Sequence, residues 1–149
     1  MAVYKKGQAD NGVYHFPKKF VTLYASAACT AGQWVAITTD TTNGLGASVA
    51  NAPEGPSGTH GNSLTCGIAT QTVAAGEDVV VQIAGKYEDA YVDGACDYRL
   101  PLIGPLSTGT AGMVSMQSAA TFGPVIGIGL EADATNLADV MIINQGFFD

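Results

Sequence analysis

Charge is scarce in this sequence. Asp, Glu, Lys and Arg make up 13% of its 149 residues, about half of the ~25% usual in soluble proteins. The shortage is not that of a disordered chain, because 47% of the residues are hydrophobic and many fall in β-branched runs. A chain of this length is one domain by expectation and can bury a real core, about 68–70% of its unfolded surface. Long apolar runs are absent too: nothing approaches the ~18 residues of a membrane span. The opening MAVYKKGQAD leads into no apolar signal-peptide segment. Synthesis in the cytoplasm, with no membrane partner, is therefore expected. Cysteine is limited to Cys29, Cys66 and Cys96, an odd number with no C-x-x-C pair and with His15 and His60 far from all three. That spacing argues against a zinc site and a disulfide framework. Each cysteine sits among small residues and is expected to pack as a buried thiol.

Catalytic signatures are missing as well. Asp40-Thr41-Thr42 follows an apolar strand, but an aspartic protease needs Asp-Thr-Gly, and Gly44 comes too late. There is no G-x-S-x-G and no H-E-x-x-H. GPLSTGTAG (104–112) is glycine-rich yet lacks the Lys-Ser/Thr of a phosphate-binding loop. Glu88, Asp89, Asp93 and Asp97 cluster in YEDAYVDGACD, but not at the spacing of an EF-hand. A solvated acidic strand edge is the ordinary reading of that stretch, with a loose cation site as the alternative. His60 has no partner that sequence identifies. No enzyme, no metal and no cofactor are expected.

What is present reads as strands. FVTLYASAA (20–28) alternates with period two, and QWVAITT (33–39), DVVVQIAG (78–85), MVSMQ (113–117), PVIGIGLEA (124–132) and DVMIIN (139–144) are short, β-branched and bounded by turn residues. The nearest approach to a helix is EADATNLAD (131–139). The fold class expected is all-β, a compact β-sandwich or β-barrel with an extended N-terminal arm. A phrase recurs: ACTAGQWVAI (28–37) and TVAAGEDVVVQIAG (72–85) each carry Ala-Gly, then Gln or Glu, then a β-branched run. Gly32 and Gly76 are expected at positive φ in one repeated turn shape, with the polar residue after each facing water.

Two segments stand apart from the β-domain assigned to 20–149. Residues 1–19 form a basic arm with four lysines against one acid, whereas the rest of the chain sets two basic residues against twelve acids. An acidic body argues against nucleic acid. The arm holds Tyr4, Lys5, Lys6, Tyr14, Phe16, Lys18 and Lys19 around an Asp-Asn-Gly turn signal. Lysines supply attraction and aromatic rings supply buried anchors, so these residues are the candidate contacts to an acidic protein neighbour. Phe147 and Phe148, near the chain's end, are candidate oligomer contacts. The second segment, DTTNGLGASVANAPEGPSGTHGNS (40–63), is a long Gly/Ser/Pro-rich loop, a length that usually marks a binding loop or an insertion.

CGIATQTVAAGEDVVVQIAG (66–85), the acidic strand into DGACDYRLPL (93–102), PVIGIGLEA (124–132) and ADVMIIN (138–144) together resemble the small capsid decoration, or cement, proteins of tailed bacteriophages. The likeness covers about residues 64–144, and this chain has Gly129 where that family commonly has alanine. The resemblance implies a structural virion protein on the capsid surface, commonly a homotrimer, that binds the major capsid protein and stabilises contacts between its subunits. The alternative is a phage tail or receptor-binding β-module that recognises a cell-surface ligand through the 40–63 loop.

Overall fold

The computed structural model describes residues 17–38, 48–52, 55, 60–94, 96–97, 100–132 and 135–143. They are all-β, with no helix among them: β1 (Lys19–Tyr24), β2 (Trp34–Thr38), β3 (Ser48–Asn51), β4 (Thr65–Ala69), β5 (Asp78–Tyr91), β6 (Pro101–Ile103), β7 (Ser115–Met116), β8 (Val125–Gly129) and β9 (Leu137–Ile142). Every strand pairing is antiparallel, in the order β3-β2-β4-β5-β9-β8-β6-β7, with β1 beside β5. The sheet curls strongly into a half-barrel.

β5 is the spine. Gln82 pairs with Phe20 of β1 on one edge and with Ile68 of β4 on the other, while Gly85–Tyr91 pairs with β9. The strand turns from one set of partners to the other at Gly85, whose φ of +91° strains any residue with a Cβ. A bulge follows at Glu88–Asp89, where Asp89 takes φ +55°, a conformation that Asp tolerates better than most residues.

The curl creates two cores. One gathers Val35, Val49, Cys66, Val79, Val81 and Ile83, with Val21, Leu23 and Ile37 packed against it; the other gathers Trp34, Ile68, Leu102, Val114, Ile126 and Val140. β2 sends Trp34 and Ala36 to one core and Val35 to the other, so both of its faces are buried. That is why Trp-Val-Ala-Ile reads as a continuous apolar run rather than an alternating one. A parallel bridge from Ala25 to Val49, with the Ser26 N–H donating to the Val49 carbonyl at 2.9 Å, draws the end of β1 against β3.

The recurring phrase is a turn. Gly32 and Gly76 have φ of +83° and +90°, and the N–H of Gln33 and Glu77 donates back to Thr30 and Ala74. Positive φ at the third position of a four-residue turn is what type II requires. Thr110-Ala111-Gly112 repeats the shape, with φ +78° and a Met113 N–H to Thr110 O bond of 3.0 Å. Sequence reading missed it because Met rather than Gln or Glu follows the glycine. Glu77 is exposed as expected, but Gln33 turns inward onto Asn51.

Four elements differ from the sequence reading. The 40–63 segment contains β3, whose Ser-Val-Ala-Asn is too short and too little branched to signal a strand. Its pairing with β2 and the burial of Val49 hold it there. β4 and β6 also lacked a signal, since β4 carries Gly67 in its middle and β6 is three residues opening with Pro101. The weak helical pattern over 131–139 gives way to β9, which starts at Leu137, because the buried Ala138, Val140 and Ile142 match period two.

Candidate functional site

β1 and β9 pair with consecutive lengths of β5: Lys19 faces Ala84, and Ile142 faces Gly85. Both strands run antiparallel to β5, so β1 begins where β9 ends. The segment before Pro17 and the segment after Ile143 therefore leave the described fold from the same place. Gly85 makes the approach possible, since a Cβ there would lie 3.0 Å from Lys18 Cα and 3.1 Å from the Pro17 carbonyl oxygen. Around it Pro17, Lys18, Lys19, Phe20 and Ile143 are exposed, with Phe20 at 51% and Ile143 at 38%.

The two stretches from which the sequence reading took its candidate residues enter the described fold at this pole, at Pro17 and Ile143. Lys18 and Lys19 stand on it. Tyr4, Lys5, Lys6, Tyr14 and Phe16, and at the other end Phe147 and Phe148, lie outside the described residues. Phe20 and Ile143 were missed. Both faces of β1 are apolar in sequence, so alternation alone does not say which one is exposed, and no local pattern reveals that two distant segments meet.

The acidic run disperses. Glu88 and Asp89 sit in the bulge, Asp93 lies beside Gly109, and the Asp97 N–H points to Met116 Sδ at 3.0 Å. Among the described residues no group of three or more His, Cys, Asp or Glu is placed to hold a metal. What the bulge organises is an ion-pair network. Lys86 Nζ lies 2.7 Å from Asp139 Oδ2 and 3.3 Å from Glu88 Oε1, and the Asp139 N–H donates to Glu131 Oε1. The hydrogen bond to Asp139, helped by Glu88, raises the Lys86 pKa above its usual 10.5.

The 40–63 segment returns to the fold through backbone bonds. Gly55 and Asn62 donate to the Pro105 carbonyl at 2.8 and 3.1 Å, and Gly61 donates to Phe122 O at 2.8 Å. The return leaves His60 exposed, its ring centroid 5.9 Å from that of Phe122, which is 54% exposed; Leu64 is 50% exposed. Trp34 is fully buried and unavailable to any ligand at the surface. All three cysteines are buried, and none forms a disulfide among the described residues. Burial pushes the Cys66 thiol up to about 12 and raises Cys29 as well, so neither forms a thiolate near neutral pH.

No protein-family model and no curated protein matches the sequence. Among solved structures, the chain is similar to a crystal structure of the N base of head fiber gp8.5 in bacteriophage phi29, with a TM-score of 0.56 and 16% identity. The fold is shared with a phage head-fibre base. The match covers 85% of this chain and 95% of that one, so nearly the whole of the other domain is reproduced.

Proposed function

We propose that this protein is a structural component of a phage virion, bound to the outside of the capsid, where it stabilises contacts between major capsid subunits. The observation that carries the reading is the similarity of fold to a head-fibre base over 85% of the chain. The strand and turn phrases that resemble decoration proteins support it independently. The 13% charged residues and a role that needs no catalysis agree with it, since interface cores are depleted of charge. A protein that binds only the assembled shell stabilises that shell by mass action, and repetition over many sites multiplies the effect. A homotrimer is the assembly proposed, matching local three-fold positions.

The pole around Gly85 is the attachment surface in this reading. It combines the apolar Phe20 and Ile143 with Lys18 and Lys19, and it is where both flanking segments emerge. Co-sedimentation of the purified protein with empty heads of the cognate phage tests this. Binding is expected to fall when Lys5, Lys6, Lys18 and Lys19 are changed to Gln, and to weaken with salt. Heads that bind no protein at any salt concentration would sink the reading. The exposed His60–Phe122 pair favours a second reading, a module that recognises a cell-surface ligand through the 40–63 segment, since aromatic rings of this kind stack on sugars. Adsorption of the protein to host cells, lost in Phe122→Ala and unaffected by the lysine changes, would select it.

A further inference from the structure

Five large apolar side chains stand exposed among the described residues: Phe20, Leu64, Leu100, Phe122 and Ile143. Four of them share one end of the half-barrel. Phe20 lies at the start of β1 and Ile143 follows β9, the two strands that meet at Gly85. Phe122 precedes β8, whose start lies beside the end of β9, with the Ile143 N–H donating to the Ile126 carbonyl at 3.0 Å. Leu64 precedes β4, and its segment is fastened to the same end. Gly61 donates to Phe122 O, Asn62 donates to Pro105 O just past β6, and a Cβ on Gly104 would lie 2.7 Å from Thr65 Oγ1. Leu100 sits at the opposite end, before β6, where the Gly129 N–H donates to its carbonyl.

Charge divides the same way. No Asp or Glu among the described residues belongs to these segments, whereas Lys18 and Lys19 stand exposed there. Asp139 and Glu88, farther along β9 and β5, are already held by Lys86. Glu77 and Asp78 lie at the start of β5, away from Gly85. This end is apolar and positive, with no described carboxylate of its own to answer the lysines.

We propose that Phe20, Leu64, Phe122 and Ile143 form one binding face, and that its occupant is a protein surface of apolar side chains edged by carboxylates. On the virion reading, which this face presupposes, that surface belongs to the major capsid protein. Charge selects the occupant. A second copy presenting the same face would set Lys18 and Lys19 against their own counterparts, and opposed like charges are unfavourable. A second copy offering Glu77 and Asp78 instead would join opposite ends, a head-to-tail contact that stacks copies into an open filament. Nucleic acid calls for a basic stripe, not two lysines beside four apolar side chains. Removal of the apolar side chains from water supplies the affinity, while the lysines speed encounter and set orientation. The His60–Phe122 pair serves the same contact as the lysines.

Hydroxyl-radical footprinting of the full chain, free and on empty heads of the cognate phage, tests the face residue by residue. Oxidation of Phe20, Leu64, Phe122 and Ile143 is expected to fall together on heads, by about fivefold or more, with Leu100 unchanged. Leu64→Ser with Phe122→Ser should weaken head binding about a hundredfold at every salt concentration, whereas Lys18→Gln with Lys19→Gln should weaken it only at low salt. Heads that protect Phe20 and Ile143 but leave Leu64 and Phe122 as reactive as in the free protein would overturn the proposal and leave the virion reading standing. Protection of all four in concentrated protein without heads would overturn it too, making a second copy the occupant. Heads that bind no protein would remove the virion reading and this face together.

Discussion

Gly129 shows how one residue can be fixed by neighbours that are distant in the chain. A Cβ at that position would lie 2.6 Å from Cys96 Sγ and 2.7 Å from the Asp97 carbonyl oxygen, so an alanine has no room here. The glycine was legible in the sequence; its cause was not, because residues 96 and 129 are far apart in the chain. Gly129→Ala should destabilise the fold by about 1–3 kcal/mol in urea denaturation, the usual cost of overpacking. Cys96→Ala in the same chain should recover part of that loss, since the backbone contact to Asp97 remains. Full recovery would mean that the thiol alone sets the constraint, and no destabilisation would remove it. Burial of the cysteines predicts a chemical result as well. Iodoacetamide at pH 8 should label Cys29 and Cys66 slowly in the native protein and fully once it is unfolded, because only the thiolate reacts. Lys86 adds a pH signature. Its pKa is raised in the fold, so the stability it contributes is present below its ordinary 10.5 and is lost as pH climbs through the raised value. Thermal melts above pH 10.5 should therefore fall more steeply in the native sequence than in Lys86→Met.

Turns and strands were legible to different degrees. Ala-Gly followed by a β-branched run announced the turns at Gly32 and Gly76, because the requirement for positive φ is local and glycine meets it. Strands whose pattern is local, such as β1, β2, β8 and the first half of β5, were legible for the same reason. β3, β4 and β6 were not. Each is held by pairing with its neighbouring strands, and four residues of Ser-Val-Ala-Asn or three of Pro-Leu-Ile carry no periodicity of their own. The second half of β5 was obscured by Gly85, which ordinarily ends a strand and here redirects one. Of the pole, sequence supplied Lys18 and Lys19 and pointed to the stretches on either side of it. It could not supply their common point of exit, which arises from β1 and β9 meeting at Gly85. The turns give a graded test. Gly76→Ala meets only open space and Tyr24 Oη at 3.6 Å, so it should cost about 1–2 kcal/mol, the penalty of left-handed backbone alone. Gly32→Ala brings a Cβ to 3.2 Å from the Tyr91 ring and should cost more. Chemical denaturation that ranked the two the other way would show that the Tyr91 ring yields freely.

For the molecule as a whole, the half-barrel has two unlike ends. The turns before β2 and β5 lie together, because those strands run parallel two places apart in the sheet. Gly85 lies seven residues along β5 from Asp78, about 23 Å at strand spacing. The turn end exposes Thr72, Ala74 and Ala75 with the acidic Glu77 and Asp78, whereas the Gly85 pole exposes Lys18, Lys19, Phe20 and Ile143. A protein built to attach to a shell and face outward has a use for that difference. Cryo-electron microscopy of virions whose genome carries this sequence tests the account most directly. The account predicts density for the β-domain on the outer surface of the head, three copies to a site, with the Gly85 pole against the major capsid subunits and the turn end towards solvent. Virions that lack the protein, or that hold it by the turn end with the pole in solvent, would contradict it.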